Sequence, residues 1–101
     1  MSQMNTRELP FTDQQRAEIL RIAAKHGAQH VRVFGSVVRG EAGENSDLDL
    51  LIDKGSETSP WFPAGLILEL EALLGCKVDV VTEKGISPFL RERIQEEAVP
   101  L

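Results

Sequence analysis

The sequence predicts an α/β (α+β) domain, a single unit whose small sheet is covered mainly on one face by helices, and three observations carry that prediction. Residues 47–53, DLDLLID, alternate apolar and polar side chains as a half-buried strand does, and residues 77–82 repeat the pattern over a shorter span. Helix-spaced apolar sets lie before, between and after these strands, so strands and helices take turns along the chain. The length, 101 residues, supports one hydrophobic core and leaves no room for a catalytic domain plus a separate substrate-binding domain.

Residues 1–10 are polar and read as a loose leader to a domain spanning 1–101. Thr12 followed by Gln15 fits a capping box, in which each side chain satisfies the other residue's backbone amide. Two apolar sets follow at helical spacing, Ala17, Leu20, Ala24 and Ile19, Ile22, Ala23, until Gly27 stops the helix. Val31 to Phe34 is a short β-branched and aromatic strand that ends at Gly35-Ser36, with a brief helix expected over Val37 to Glu41 and a loop over 42–46. In the second strand Leu48, Leu50 and Ile52 share one face, and Asp47, Asp49, Leu51 and Asp53 share the other. Trp61 and Phe62, between Pro60 and Pro63, are expected to anchor a third helix carrying Leu66, Ile67, Leu70, Leu73 and Leu74, which Gly75 closes. The third strand, Lys77 to Thr82, sets Val78 and Val80 opposite Asp79 and Val81. Ser87-Pro88 opens a last helix, Phe89 to about Glu97, with Leu90 and Ile94 expected inward.

Composition narrows the function. Sixteen acidic against eleven basic side chains give a net charge of −5, and the basic residues form no block, which argues against direct nucleic-acid binding and favours a protein or small-molecule partner. Cys76 is the only cysteine, so no internal disulfide or cysteine-based zinc site can form, and it reads as a small buried hydrophobe. No apolar run approaches the ~20 residues of a membrane helix, and a cytoplasmic setting is expected. His26 and His30 fall on either side of the Gly27 stop, so they are not a helical metal pair, and His26 is expected to complement the helix C-terminus. Asp53 reads as a solvated strand end.

Aspartate is depleted in strands because its side chain competes for local backbone hydrogen bonds, so Asp47, Asp49 and Asp79 call for a reason. Residues two apart on a strand point the same way with origins ~6.5–7 Å apart, so Asp47 and Asp49 can serve one shared pair of cations, with Asp79 joining if its strand lies alongside. Three carboxylates without a His or Cys cluster suit Mg²⁺ or Mn²⁺. Solvated aspartates at the ends of a sheet are the plain alternative. Gly35-Ser36 tips the balance, since glycine lets backbone approach a ligand closely and serine adds a hydroxyl for phosphate oxygens. No Walker loop and no dinucleotide glycine motif is present.

Gly35-Ser36, ten residues, then Asp47-x-Asp49, and a later strand bearing Asp79, make a joint pattern. The stretch GSVVRGEAGENSDLDLLID resembles the minimal nucleotidyltransferases, the smallest branch of the DNA polymerase beta-like nucleotidyltransferase superfamily, and the likeness runs on to the closing SPFLRERIQEEAVPL. The resemblance implies an αβαβαβ core with a three-stranded mixed sheet that transfers a nucleoside monophosphate from a triphosphate, ATP being the expected substrate, with two divalent ions. By position it implies Gly35, Ser36 and Arg39 as nucleotide-binding residues and Asp47, Asp49 and Asp79 as catalytic metal ligands; Val38 replaces a common alanine. Larger members of the superfamily carry an added domain that grips their acceptor. A bare core implies an acceptor with its own binding surface, and the family makes that a HEPN-type ribonuclease toxin, in a hetero-oligomer with this chain as the adenylylating antitoxin. An acidic surface suits a nuclease whose RNA-binding face is basic. The rival reading is a non-catalytic module that neutralises the toxin by covering it. Transfer to a small molecule such as an aminoglycoside is a third.

Overall fold

The computed structural model describes residues 9–41 and 47–101, so all of the leader but Leu9 and Pro10, and the expected loop over 42–46, lie outside the described residues. The chain runs α1 (Asp13–His26), β1 (Ala28–Phe34), α2 (Ser36–Arg39), β2 (Leu48–Lys54), α3 (Ala64–Leu74), β3 (Val78–Thr82), a 3₁₀ turn (Glu83–Gly85), α4 (Pro88–Glu97) and β4 (Val99–Pro100). The Thr12–Gln15 capping box is formed in both directions and Gly27 ends α1 in the left-handed region at φ 91°. A side chain at Gly27 would also strike the backbone of Glu57 and Thr58, so glycine is required twice over.

The sheet is mixed, in the order β3-β2-β1-β4. Strand β2 pairs antiparallel with β1 and parallel with β3, and β4 pairs antiparallel with β1. The sheet therefore has four strands rather than the expected three. Strand β4 is two residues long and contains a proline, so no alternation marks it; Val99 opposite Val33 and the Leu101 amide bonded to the Val31 carbonyl create it from a distance in sequence.

One face of the sheet holds the core: Ile19, Ile22 and Ala23 of α1 and Leu66 and Leu70 of α3 close over Val31, Val33, Leu48, Leu50, Ile52 and Val78. Of the two apolar sets in α1, this selects the isoleucine set, and Leu20 is left 37% exposed. The other face is not simply polar. Leu51 is fully buried there, apart from the main cluster. Arg32, cross-strand from Leu51, bonds Asp53 and Glu83, and Glu83 also receives Arg91 and Gln95, which ties α4 to this face. Asp53 is the partly solvated strand end expected, with its side chain 41% exposed, and is also paired, with Arg32 at 3.0 Å and His30 at 3.3 Å.

Other expectations also shift. Trp61 is 85% exposed and anchors nothing, while Phe62 packs against the core. Leu90 is 48% exposed, because α4 reaches the sheet through polar contacts rather than an apolar stripe, and Ile94 is half-buried. His26 stands in the last turn of α1, the place expected of a residue that complements the helix C-terminus, and is in addition buried and bonded to Ser59 at 2.6 Å and Glu69 at 2.7 Å, joining α1 to α3. Cys76 packs against the core, where burial, then the Glu71 and Asp47 carboxylates, push its thiol pKa up.

Candidate active site

The parallel pairing of β2 and β3 sets Leu48 beside Val78, Asp49 beside Asp79 and Leu50 beside Val80. Both strands alternate, so this register sends the apolar partners to the core and puts the two aspartates side by side on the opposite face. Asp49 is also cross-strand from Phe34, the last residue of β1, so the chain turns through Gly35 next to the Asp49 carboxylate. Gly35 is buried with φ 87° and ψ −156°, a conformation essentially restricted to glycine, and an added Cβ would collide with the Asp49 carboxylate. Ser36 follows as the first residue of α2, and Arg39 is its last.

Asp49 is half-buried, whereas Asp79 and Asp47, which directly precedes β2, are exposed. Burial, then the neighbouring Asp79 and Asp47 carboxylates, push the Asp49 carboxyl above its ordinary pKa, against the opposing pull of Arg39. Among the described residues these three aspartates form no ion pair. Nor, among the described residues, are three or more His, Cys, Asp or Glu side chains drawn together tightly enough to chelate an ion. The carboxylates are gathered at one end of the sheet without being closed around a centre. Their chemistry fits hard divalent cations: oxygen donors, mutual repulsion a cation would relieve, and exposed members that leave room for water and substrate oxygens.

One residue of this region was not singled out in the sequence. Glu97, at the end of α4, accepts hydrogen bonds from the Gly35 amide and from Arg39 Nη1, each at 2.7 Å. Burial works to raise its pKa, but the bonds from Arg39 and Gly35 prevail and hold the carboxyl below its ordinary value. Arg39 is bonded to Glu41 as well. A signal was present: Glu96 and Glu97 close a helix at the end where its dipole disfavours negative charge, so such a residue needs donors from elsewhere.

Comparison with known proteins accords with this geometry. Residues 16–101 match the family model described as a nucleotidyltransferase domain. A Methanocaldococcus jannaschii protein named provisionally as a protein adenylyltransferase is 43% identical over 82 residues, covering 81% of this chain and 88% of the relative. The protein adenylyltransferase MntA of Thermococcus cleftensis is 40% identical over 77 residues, covering 74% and 76%. Among solved structures, one described provisionally as a minimal nucleotidyltransferase is 51% identical with a TM-score of 0.77, covering 87% of this chain and 90% of that one. The toxin-antitoxin MntA-HepT, at 18% identity and a TM-score of 0.65, covering 88% and 70%, shares the fold. Since the family match runs from within α1 to β4 and takes in all five residues of the Gly-Ser and aspartate pattern together with Arg39, the chain belongs to the nucleotidyltransferase domain family of enzymes.

Proposed function

We propose that this enzyme transfers AMP from ATP to a hydroxyl of a protein, and that the acceptor is a HEPN-type ribonuclease toxin for which it is the cytoplasmic antitoxin. The observation that carries the reading is the register of β2 on β3, which seats Asp49 beside Asp79 with Gly35 pressed against the Asp49 carboxylate. The names of the M. jannaschii and T. cleftensis relatives support the protein acceptor, and the shared fold of MntA-HepT supports a toxin partner. Among the described residues no helix is long and apolar enough to cross a membrane.

In this reading Gly35, Ser36 and Arg39 hold the triphosphate: an amide with no side chain in the way, a hydroxyl, and a guanidinium that can pair with phosphate oxygens. Asp47, Asp49 and Asp79 would hold Mg²⁺ or Mn²⁺, which when bound supplies neutralisation of phosphate charge and acidification of the acceptor hydroxyl. The acceptor oxygen bonds to the α-phosphorus as the bond to the pyrophosphate oxygen breaks. Pyrophosphate leaves with the electron pair, and the acceptor proton passes to a carboxylate, a role we assign to the exposed Asp79.

The test is labelled ATP with purified partner, read by intact mass for one added nucleoside monophosphate. Loss should be nearly complete in Asp47→Asn and Asp49→Asn and partial in Ser36→Ala, because the serine contributes one hydroxyl beside amides that remain. Toxin neutralisation by the same variants separates catalysis from covering. Full protection by a folded, transfer-dead Asp47→Asn/Asp49→Asn protein at stoichiometric concentration would refute catalytic neutralisation in favour of the covering module.

A further inference from the structure

Resting on the nucleotide-binding role given to Gly35 and Arg39, we infer that Glu97 is the resident anion of the triphosphate subsite: its carboxylate holds the phosphate donors in the ligand-free protein, and nucleotide binds by displacing it. The Gly35 amide and the Arg39 guanidinium sit at the two ends of the short helix α2, Gly35 as its N-cap and Arg39 as its last residue, and both donate to one anion. In this structure the anion is the Glu97 side chain, which bridges them at 2.7 Å on each side. A carboxylate and a phosphate edge present the same feature to such donors, two oxygens carrying shared negative charge, so one can stand in for the other. They cannot be present together. A triphosphate reaching this amide would meet a charged carboxylate already bonded to it, beside the like-charged Asp49.

The surroundings allow the exchange. Glu97 is the last residue of α4, a helix that buries no residue fully, so its side chain can swing away without opening the core, while β4 just beyond keeps the backbone on β1. Next to the contact lies an open groove of about 490 Å³ between α2 and α4, lined by Val38, Arg39, Arg93, Glu96 and Glu97. Arg93 also bears electrostatically on Glu97. A released carboxylate therefore has space and a second cation beside it. Only molecules in which the donors are open bind nucleotide, so the observed affinity is the intrinsic one scaled down by that open fraction. Glu97 thereby sets how much ATP the enzyme needs before it is loaded.

Binding of the non-hydrolysable analogue AMP-PNP with Mg²⁺, followed by titration calorimetry, tests this in wild type, Glu97→Gln and Glu97→Ala, with Asp49→Asn as the control for the site. Removing the charge should tighten binding by about tenfold, the scale expected for a charge-assisted hydrogen bond no longer competing with the ligand. Equal or weaker binding in both Glu97 variants overturns the inference, because a residue that merely braces Arg39 would cost affinity when removed. Amide NMR of the wild type gives a second readout. The analogue should move the Gly35 resonance together with those of Glu96 and Glu97, and a Glu97 amide that stays in place when Gly35 moves refutes displacement. Failure of the underlying reading looks different: no binding by wild type or by either Glu97 variant overturns nucleotide recognition and this inference together, whereas wild-type binding weakened by Asp49→Asn upholds recognition whatever the Glu97 variants do.

Discussion

Replacing Gly35 by alanine tests the site through the backbone alone. Gly35 and Gly40 both have positive φ, 87° and 75°, and bracket the same short helix. They differ in two respects. Gly40 sits in the ordinary left-handed helical region with nothing within 4 Å of an added Cβ, whereas Gly35 lies where non-glycine residues are almost never found and its Cβ would meet the Asp49 carboxylate. Gly40→Ala should therefore cost only the left-handed penalty, about 1 kcal/mol. Gly35→Ala carries about 1–3 kcal/mol of backbone strain, plus roughly 1 kcal/mol or more for forcing aside a half-buried carboxylate. The difference of about 1–3 kcal/mol, at about 4–8 °C per kcal/mol for a domain of this size, should place the thermal melt of Gly35→Ala below that of Gly40→Ala by roughly 4–24 °C. Nucleotide transfer should follow the same order, nearly abolished in the first because Asp49 has moved and close to wild type in the second. Equal melting temperatures for the two, or full transfer by a folded Gly35→Ala protein, would show that the turn is not pressed against Asp49.

Three further outcomes follow from geometry already described. Because the Asp49 carboxyl is raised in the folded state, its contribution is fully favourable below the unfolded value of ~3.9 and is lost as pH rises through the folded one; with metal chelated, Asp49→Asn should melt like wild type in acid and above it at neutral pH, and a melting advantage independent of pH would be inconsistent with that cause. Leu51→Ala, at a fully buried position outside the main cluster, should cost about 2–5 kcal/mol in denaturant unfolding, and a loss under about 1 kcal/mol would mean the second face has no core of its own. Arg32→Met leaves Asp53 and Glu83 facing each other without their shared guanidinium and should cost about 1–3 kcal/mol in the same assay, with transfer retained in the folded fraction because the site is at the other end of the strands.

What the sequence discloses and what it withholds divide along physical lines. The bounds of α1 are legible because a capping box and a left-handed glycine act within a few residues of themselves. The facing of β2 is legible because alternation is local, and it sends Asp49 to the side away from Leu48, Leu50 and Ile52. What depends on distant partners is hidden. Strand β1 begins at Ala28 rather than Val31 because β2 reaches back to pair with it, through an irregularity between Gln29 and Arg32. Strand β4 exists only because β1 offers it a free edge, and Leu51 looks like an apolar intruder on an acidic face until the Arg32 network is seen on that side. In the candidate site, all six marked positions fall around the turn into α2 and the neighbouring ends of β2 and β3. Glu97 escaped because its partners are 62 and 58 residues away along the chain.

The network around Arg32 has one more consequence. At its end of the acidic face Asp53 and Glu83 are matched by Arg32, His30 and Arg91. At the other end Asp47, Asp49 and Asp79 have no ion-pair partner among the described residues, and Leu51 lies between the two groups. This face is thus electrically uneven along its strands, its unpaired aspartates lying at the end proposed as the active site. A cation or a basic protein approaching by diffusion meets a field that turns that end toward it before any contact is made. The rate of encounter should accordingly fall with rising ionic strength, as screening shortens the reach of the field.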